Sequence, residues 1–132
     1  MGFARLRAAG VVAIVLLLCA CATPVPVAPT KLARLDRPLP DLVIPVRVRV
    51  ELPGGRARAL PEGSTWRAVG QVPQGVVYQP VDTVFTIVGR NVHEAYLVVA
   101  GTALHGFYLP GESNYSPLAL PLSLPLAKGA NP

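Results

Sequence analysis

From Leu42 onward, apolar residues fall on alternate positions. Leu42, Ile44, Val46, Val48, Val50 and Leu52 take the even ones, with Arg47, Arg49 and Glu51 between them. Period two over this length predicts a half-buried strand, with one face on a core and the other in water. Pro45 lacks a ladder donor and predicts that the early part lies at a sheet edge. Pro53-Gly54-Gly55 predicts a turn, after which alternation resumes through Arg56-Ala57-Arg58-Ala59-Leu60. Pro61-Glu62-Gly63 punctuates the chain before a short run from Thr65 to Val69, and Pro73-Gln74-Gly75 breaks it before Val76-Val77-Tyr78. Thr83 to Val88 is rich in β-branched residues, and Gly89-Arg90-Asn91 predicts a hairpin loop. Val92 to Ala100 then returns, Gly101-Thr102 turns, and Ala103 to Leu109 forms a further strand.

About seven short strands at intervals near 8 to 12 residues have the rhythm of a small antiparallel sandwich or barrel. No helical amphipathic period appears after residue 21, so the predicted fold is an all-β domain over residues 42–110. A domain of this size is near the lower limit for a self-sufficient core. Trp66, Phe85 and alternate members of the Tyr96–Val99 and Leu104–Leu109 runs are its predicted core.

The segment that follows, 111–132, has a second kind of alternation. Leucines occupy 118, 120, 122, 124 and 126, while Pro117, Pro121 and Pro125 share the odd positions with Ala119 and Ser123. Successive N–H groups of a strand point to opposite edges, so prolines of one parity strip donors from one edge and leave the other able to pair. Such a strand caps its own domain and lays its leucines on the core, or it is donated to a partner's exposed sheet. Leu118, Leu120, Leu122, Leu124 and Leu126 are therefore the candidate partner-binding residues.

The N-terminus follows neither pattern. Arg5 and Arg7 precede an uncharged apolar run from Ala8 to Leu18, and Leu18-Cys19-Ala20-Cys21 closes it. This has the build of a secretory signal. The uncharged stretch, Ala8 to Ala22, is shorter than the roughly 20 residues of a spanning helix, and prolines at 24, 26 and 29 keep a helix from extending. The tetrapeptide resembles the lipobox of bacterial lipoproteins. The resemblance covers residues 1–21 and implies cleavage by signal peptidase II after residue 20, a diacylglycerol thioether on Cys21, and attachment to an envelope membrane. Cys19 fits less well as the lipidated residue, because Leu18 would fill the place where lipoboxes take Gly, Ala or Ser. Ala rather than Asp at 22 implies sorting to the outer membrane, facing the periplasm. Residues 21–41 then read as the lipidated cysteine and a Pro-rich linker, with prolines at 24, 26, 29, 38 and 40. In polyproline II form at ~3.1 Å per residue, it would hold the domain on the order of 60 Å from the membrane.

Loss of the signal removes Arg5 and Arg7. Of 12 Lys and Arg against 7 Asp and Glu, 10 against 7 remain, a net charge of +3. Arg47, Arg49, Arg56 and Arg58 are the densest basic stretch and read as a solvated sheet face with weak attraction for anionic headgroups. No dense cluster suggests nucleic acid. With Cys19 cleaved off and Cys21 lipidated, neither of the two cysteines is left for a disulfide, zinc site or thiol nucleophile.

Catalytic groupings are scarce. If Gly101-Thr102 is the turn, Val98 faces His105, and His93 lies roughly 16 Å further along its strand. The two histidines are then too far apart to share a metal. His93 and Glu94 are neighbours whose side chains point to opposite faces. The serines lack a nucleophile-elbow context. Tyr96, Tyr108 and Tyr115 with Phe107 form either an aromatic recognition surface or ordinary core. The expectation is a non-enzymatic, lipid-anchored periplasmic domain, without cofactor, that binds another envelope protein. The alternative is a binding or inhibitor module for a soluble ligand, such as a hydrolase, cell-wall fragment or glycolipid, with Arg47, Arg49 and the tyrosines as its surface.

Overall fold

The computed structural model describes residues 24–126 except Gly55. The residues read as a signal and lipobox, Cys21 among them, lie outside the described residues, as does the end of the tail from 127.

The fold is all-β, as the alternation predicts, with no helix among the described residues. Strands β1 (Ala28–Pro29), β2 (Leu42–Ile44), β5 (Ser64–Val72), β6 (Gly75–Pro80), β9 (Tyr96–Ala100), β10 (Ala103–Leu109) and β11 (Asn114–Ser123) form one antiparallel sheet. Their order is β1-β11-β10-β9-β6-β5-β2. Two hairpins stand apart from it, β3 (Val48–Glu51) with β4 (Ala57–Leu60), and β7 (Thr86–Val88) with β8 (Val92–Glu94).

Two predicted strands are each divided in two. The run from 42 to 52 keeps its alternation but breaks after Pro45, which cannot donate to a ladder. Leu42–Ile44 pairs with β5, and Val48–Glu51 pairs with β4 in a different sheet. Val46, at the crossing, is 52% exposed although its parity predicts burial. The run from 92 to 100 divides at Ala95, whose buried N–H donates to the carbonyl of Phe85 at 2.9 Å. Its first half pairs with β7, and its second half joins β6 and β10.

The linker also differs from expectation. The described part of the linker is laid on the domain and is no free spacer: Ala28 and Pro29 pair with Tyr115 and Asn114 of β11. Thr30 N–H donates to Ser113 at 3.0 Å, and Ala33 exchanges two backbone hydrogen bonds with Gln71 of β5, at 2.8 and 2.9 Å. Thr30 and Ala33 are at most about 11 Å apart along the chain. β11 and β5, however, lie four places apart in the sheet, about 19 Å if it were flat. The sheet must therefore curl, with residues 28–33 strapped between its two sides. It remains open, with β1 and β2 at its ends. The domain thus reaches beyond 42–110 in both directions, because β11 pairs along β10 within the same sheet.

Each face of the sheet has its own core. On one, Trp66, Tyr78, Leu97, Val99, Leu104, Phe107 and Leu109 are covered by the two hairpins through Val48, Val50, Leu60, Phe85 and Ile87. On the other, Val72, Val77, Val98, Tyr108 and Tyr115 are buried, with Leu32 of the strap packed on them. Neighbouring residues Val98 and Val99 fall in different clusters, as strand alternation requires. All the predicted core positions that were named singly, Trp66 and Phe85, are buried.

Burial pushes the Tyr78 and Tyr115 hydroxyls above the ordinary tyrosine value of 10.0. Tyr96 moves the same way, through burial first and then the neighbouring charges of Glu94 and Tyr108. In the unfolded chain these groups ionise near 10.0, so above that pH the native state holds more protons than the unfolded one. Stability from this source is complete below pH 10 and falls as pH rises through the folded values. Urea midpoints measured from neutral to strongly alkaline pH should show that decline, and Tyr115→Phe should make it shallower. An equally steep decline in the variant would assign the alkaline loss to other groups.

Candidate partner-binding groove

The Leu/Pro strand forms one wall of an apolar groove. Its pairing with β10 is regular from Asn114 to Pro117, where Pro117 faces Gly106. It resumes at Leu122, which faces Leu104. Five steps along β11 thus match two along β10, and residues 118–121 arch out between two prolines. The edge orientation follows from the hydrogen bonds. Ser113 accepts from Thr30 on the β1 side, whereas Leu124 N–H donates to Thr102 in the β9–β10 turn. Odd-numbered residues therefore present their backbone away from β10, and Pro117, Pro121 and Pro125 deny that edge three donors.

The arch decides where the leucines go. Leu118, Leu122 and Leu126 are half-buried against the larger core and Leu124 is buried. Leu120, at the crest, is 79% exposed. The strand therefore caps its own sheet with four of its five leucines and leaves one in water.

Opposite the arch stands β3. The groove between them, of about 350 Å³, is lined by Arg49, Val50, Glu51 and by Leu118 to Leu122. Successive side chains of a strand point to opposite faces, so three consecutive β3 residues can line one groove only if the strand presents its edge. β3 pairs with β4 alone among the described residues, which leaves that edge free. Arg49 Nε donates to Glu51 Oε2 at 2.5 Å, with both side chains largely exposed. An exposed pair of this kind contributes about 0–1 kcal/mol and is readily exchanged for another partner.

The other sequence candidates are brought together only in part. Arg58 is no surface cation: its Nε donates to the Thr86 carbonyl at 2.6 Å, and its guanidinium lies 4.7 Å from the Phe85 ring centroid. It ties β4 to β7. Arg47, Arg49 and Arg58 nevertheless line one pocket with Ala57 and Ala59. His93 Nδ1 lies 2.8 Å from Glu112 Oε1, so its acidic partner is not the adjacent Glu94. His105 sits at a bulge where the β10 register shifts, so Gly106 and not His105 faces Val98. The His105 carbonyl accepts from the Tyr115 hydroxyl at 3.1 Å. Tyr108 and Tyr115 are buried, which assigns the aromatic segment to the core.

The sequence reading missed the arch and the free β3 edge. Pro117 and Pro121, four residues apart in a strand otherwise able to pair, were the available signal for the first. The second depends on β3 leaving the sheet that β2 belongs to, and only the fold shows that. No protein-family model, curated protein or solved structure matches the chain.

Proposed function

We propose that the chain is a lipid-anchored domain of the bacterial envelope that binds an extended segment of another envelope protein without catalysing a reaction. The segment lies in the groove between β3 and β11. The observation that carries this reading is Leu120, a large apolar side chain held in water beside a free strand edge. A free edge offers backbone donors and acceptors to an added strand, and side-chain pockets give the selectivity. The prolines of β11 leave its own outer edge poor in donors, so the added strand pairs with β3 and packs its side chains on Leu118, Leu120 and Leu122. The soluble-ligand alternative has less support, because Tyr108 and Tyr115 are buried and Arg58 is engaged by the Thr86 carbonyl and the Phe85 ring.

Leu120→Asp is the discriminating substitution. Leu122 and Leu124 contribute to the core, so charging them confuses loss of binding with loss of folding. Leu120→Asp should leave the unfolding free energy within the scatter of exposed substitutions, about 0.5 kcal/mol. A photo-crosslinker at position 119 in cells should join the parent protein to one envelope protein, and the Leu120→Asp form should lose that product. Persistence of the product, or crosslinking only to a second copy of this chain, would sink the groove reading.

A further inference from the structure

The β7–β8 hairpin leaves one face in water. Val88 and Val92 are cross-strand partners, and with Val84, just before β7, they are 36, 66 and 66% exposed. Alternation puts all three on one side, with Ile87 and Phe85 pointing to the core. Arg90 stands at the exposed tip between Gly89 and Asn91. Glu94 shares the valine face and pairs with Thr86, so it lies behind Val88 and Val92 but nearer the tip than Val84. The tip is thus apolar and cationic, and the acidic group is set back.

The N-terminal segment arrives at the same tip. A Cβ built on Gly89 would lie 2.5 Å from Val25 Cγ2, 2.7 Å from Val25 N and 3.4 Å from Pro24 C. The chain therefore runs directly against the hairpin loop. Val25 and Cys21 are four residues apart in the sequence, at most about 14 Å fully extended.

We infer that the β7–β8 tip is a membrane-contact surface: Val88 and Val92 rest in the interface of an anionic phospholipid layer, and Arg90 takes a headgroup phosphate. This rests on the reading of Cys21 as lipidated. A lipid on Cys21 is then confined to within about 14 Å of Val25 and cannot stand off by the full length of the linker, because residues 28–33 are hydrogen-bonded to the sheet. The shortness of that leash brings the valines to the bilayer. A valine face next to an arginine suits the boundary between acyl chains and anionic headgroups, where apolar area and positive charge act together. The β5–β6 turn at Pro73-Gln74 lies at the opposite end of β6 from the connection that leads into the hairpin, and serves as the reference position. Seating on the hairpin tip keeps the domain close to the membrane, not held at a distance.

The test uses the full lipidated protein in vesicles of phosphatidylethanolamine and phosphatidylglycerol. A polarity-sensitive fluorophore is attached through Val92→Cys in one preparation and Gln74→Cys in another. Mass spectrometry of the mature N-terminal peptide reads the lipid on Cys21 separately. With the lipid present, the probe at 92 should shift to the blue and be quenched by spin-labelled phospholipid, while the probe at 74 does neither. Lipid on Cys21 with no quenching at 92 would overturn the seating and leave the anchor standing. An N-terminal peptide without lipid would overturn both. Equal quenching at 92 and 74 would also overturn it, since the domain would then contact lipid without a preferred face.

Discussion

Replacing Trp66 by Ala should lower the unfolding free energy by about 3–5 kcal/mol, the usual range for a large buried aromatic side chain. Trp66 is 1% exposed on β5, between Leu42 of β2 and Pro80 of β6. Its ring meets Phe85 edge-on at 5.5 Å, and Phe85 stacks on Phe107 of β10 at 5.9 Å. Three aromatic rings thus join the main sheet to the β7–β8 hairpin, and Arg58 holds the other face of the contact from β4. Its indole N–H donates to Ser64 Oγ at 3.0 Å, so no polar atom is stranded by the burial. A domain of ordinary stability has about 5–15 kcal/mol in all, and the substitution would remove about a fifth of it or more. Trp66 is the only tryptophan, so the measurement is urea unfolding followed by far-ultraviolet circular dichroism. Phe85→Ala should cost a comparable amount, and the double variant less than the sum, because each single change already breaks the shared contact. Full additivity would show that the rings act as separate fillers of the core.

Much of this architecture was legible because strand alternation is a local property. The even-numbered residues of 42–52 are buried apart from Val46, and the turns at Pro53-Gly54, Pro73-Gln74 and Gly101-Thr102 fall where the sequence places them. What alternation does not carry is the choice of partner. Pro45 and Ala95 divide runs that read as continuous, and each half joins a different sheet to cover a different part of the core. Such a choice depends on which surfaces remain uncovered after collapse, and that is not encoded within a window of ten residues.

The N-terminal segment is the clearest failure of a compositional reading. Five prolines between 22 and 41 predict an extended spacer, but an extended chain also suits an edge pairing such as that of Ala28 and Pro29 with β11. Proline's missing donor costs nothing where only the opposite edge is used. Leu32, one leucine among polar and proline residues, gives the strap its hold by packing beside Val72 and Tyr108. For the candidate groove, leucine parity marks the strand that forms its wall but does not distinguish among the five leucines. Leu122 reads as equivalent to Leu120 in sequence, and only the arch between Pro117 and Pro121 separates a core leucine from an exposed one.

That arch depends on Gly106, and a side chain there should be among the most damaging small changes in the domain. A Cβ at Gly106 would fall 2.4 Å from the Ser116 carbonyl oxygen, 2.9 Å from Pro117 Cα and 2.9 Å from the Tyr115 ring. Two of these are backbone atoms, which cannot swing aside as the end of a flexible side chain can. β11 would have to retreat from β10 at the point where the ladder gives way to the arch, weakening the Tyr115 hydroxyl bond to His105 and the packing of Leu118 and Leu122. Overpacking of this kind costs about 1–3 kcal/mol, and Gly106→Val should exceed the alanine variant. Gly111→Ala is the matched control, since a Cβ there meets nothing within 4 Å. The loss should be local before it is global, because β5, β6 and β9 keep their own pairings. Amide hydrogen exchange of Gly106→Ala should therefore show faster exchange in β11 and the neighbouring part of β10, with β5 and β6 nearly unchanged. Uniform acceleration across the sheet would mean that β11 is cooperative with the whole core, and that the groove wall cannot loosen without unfolding the domain.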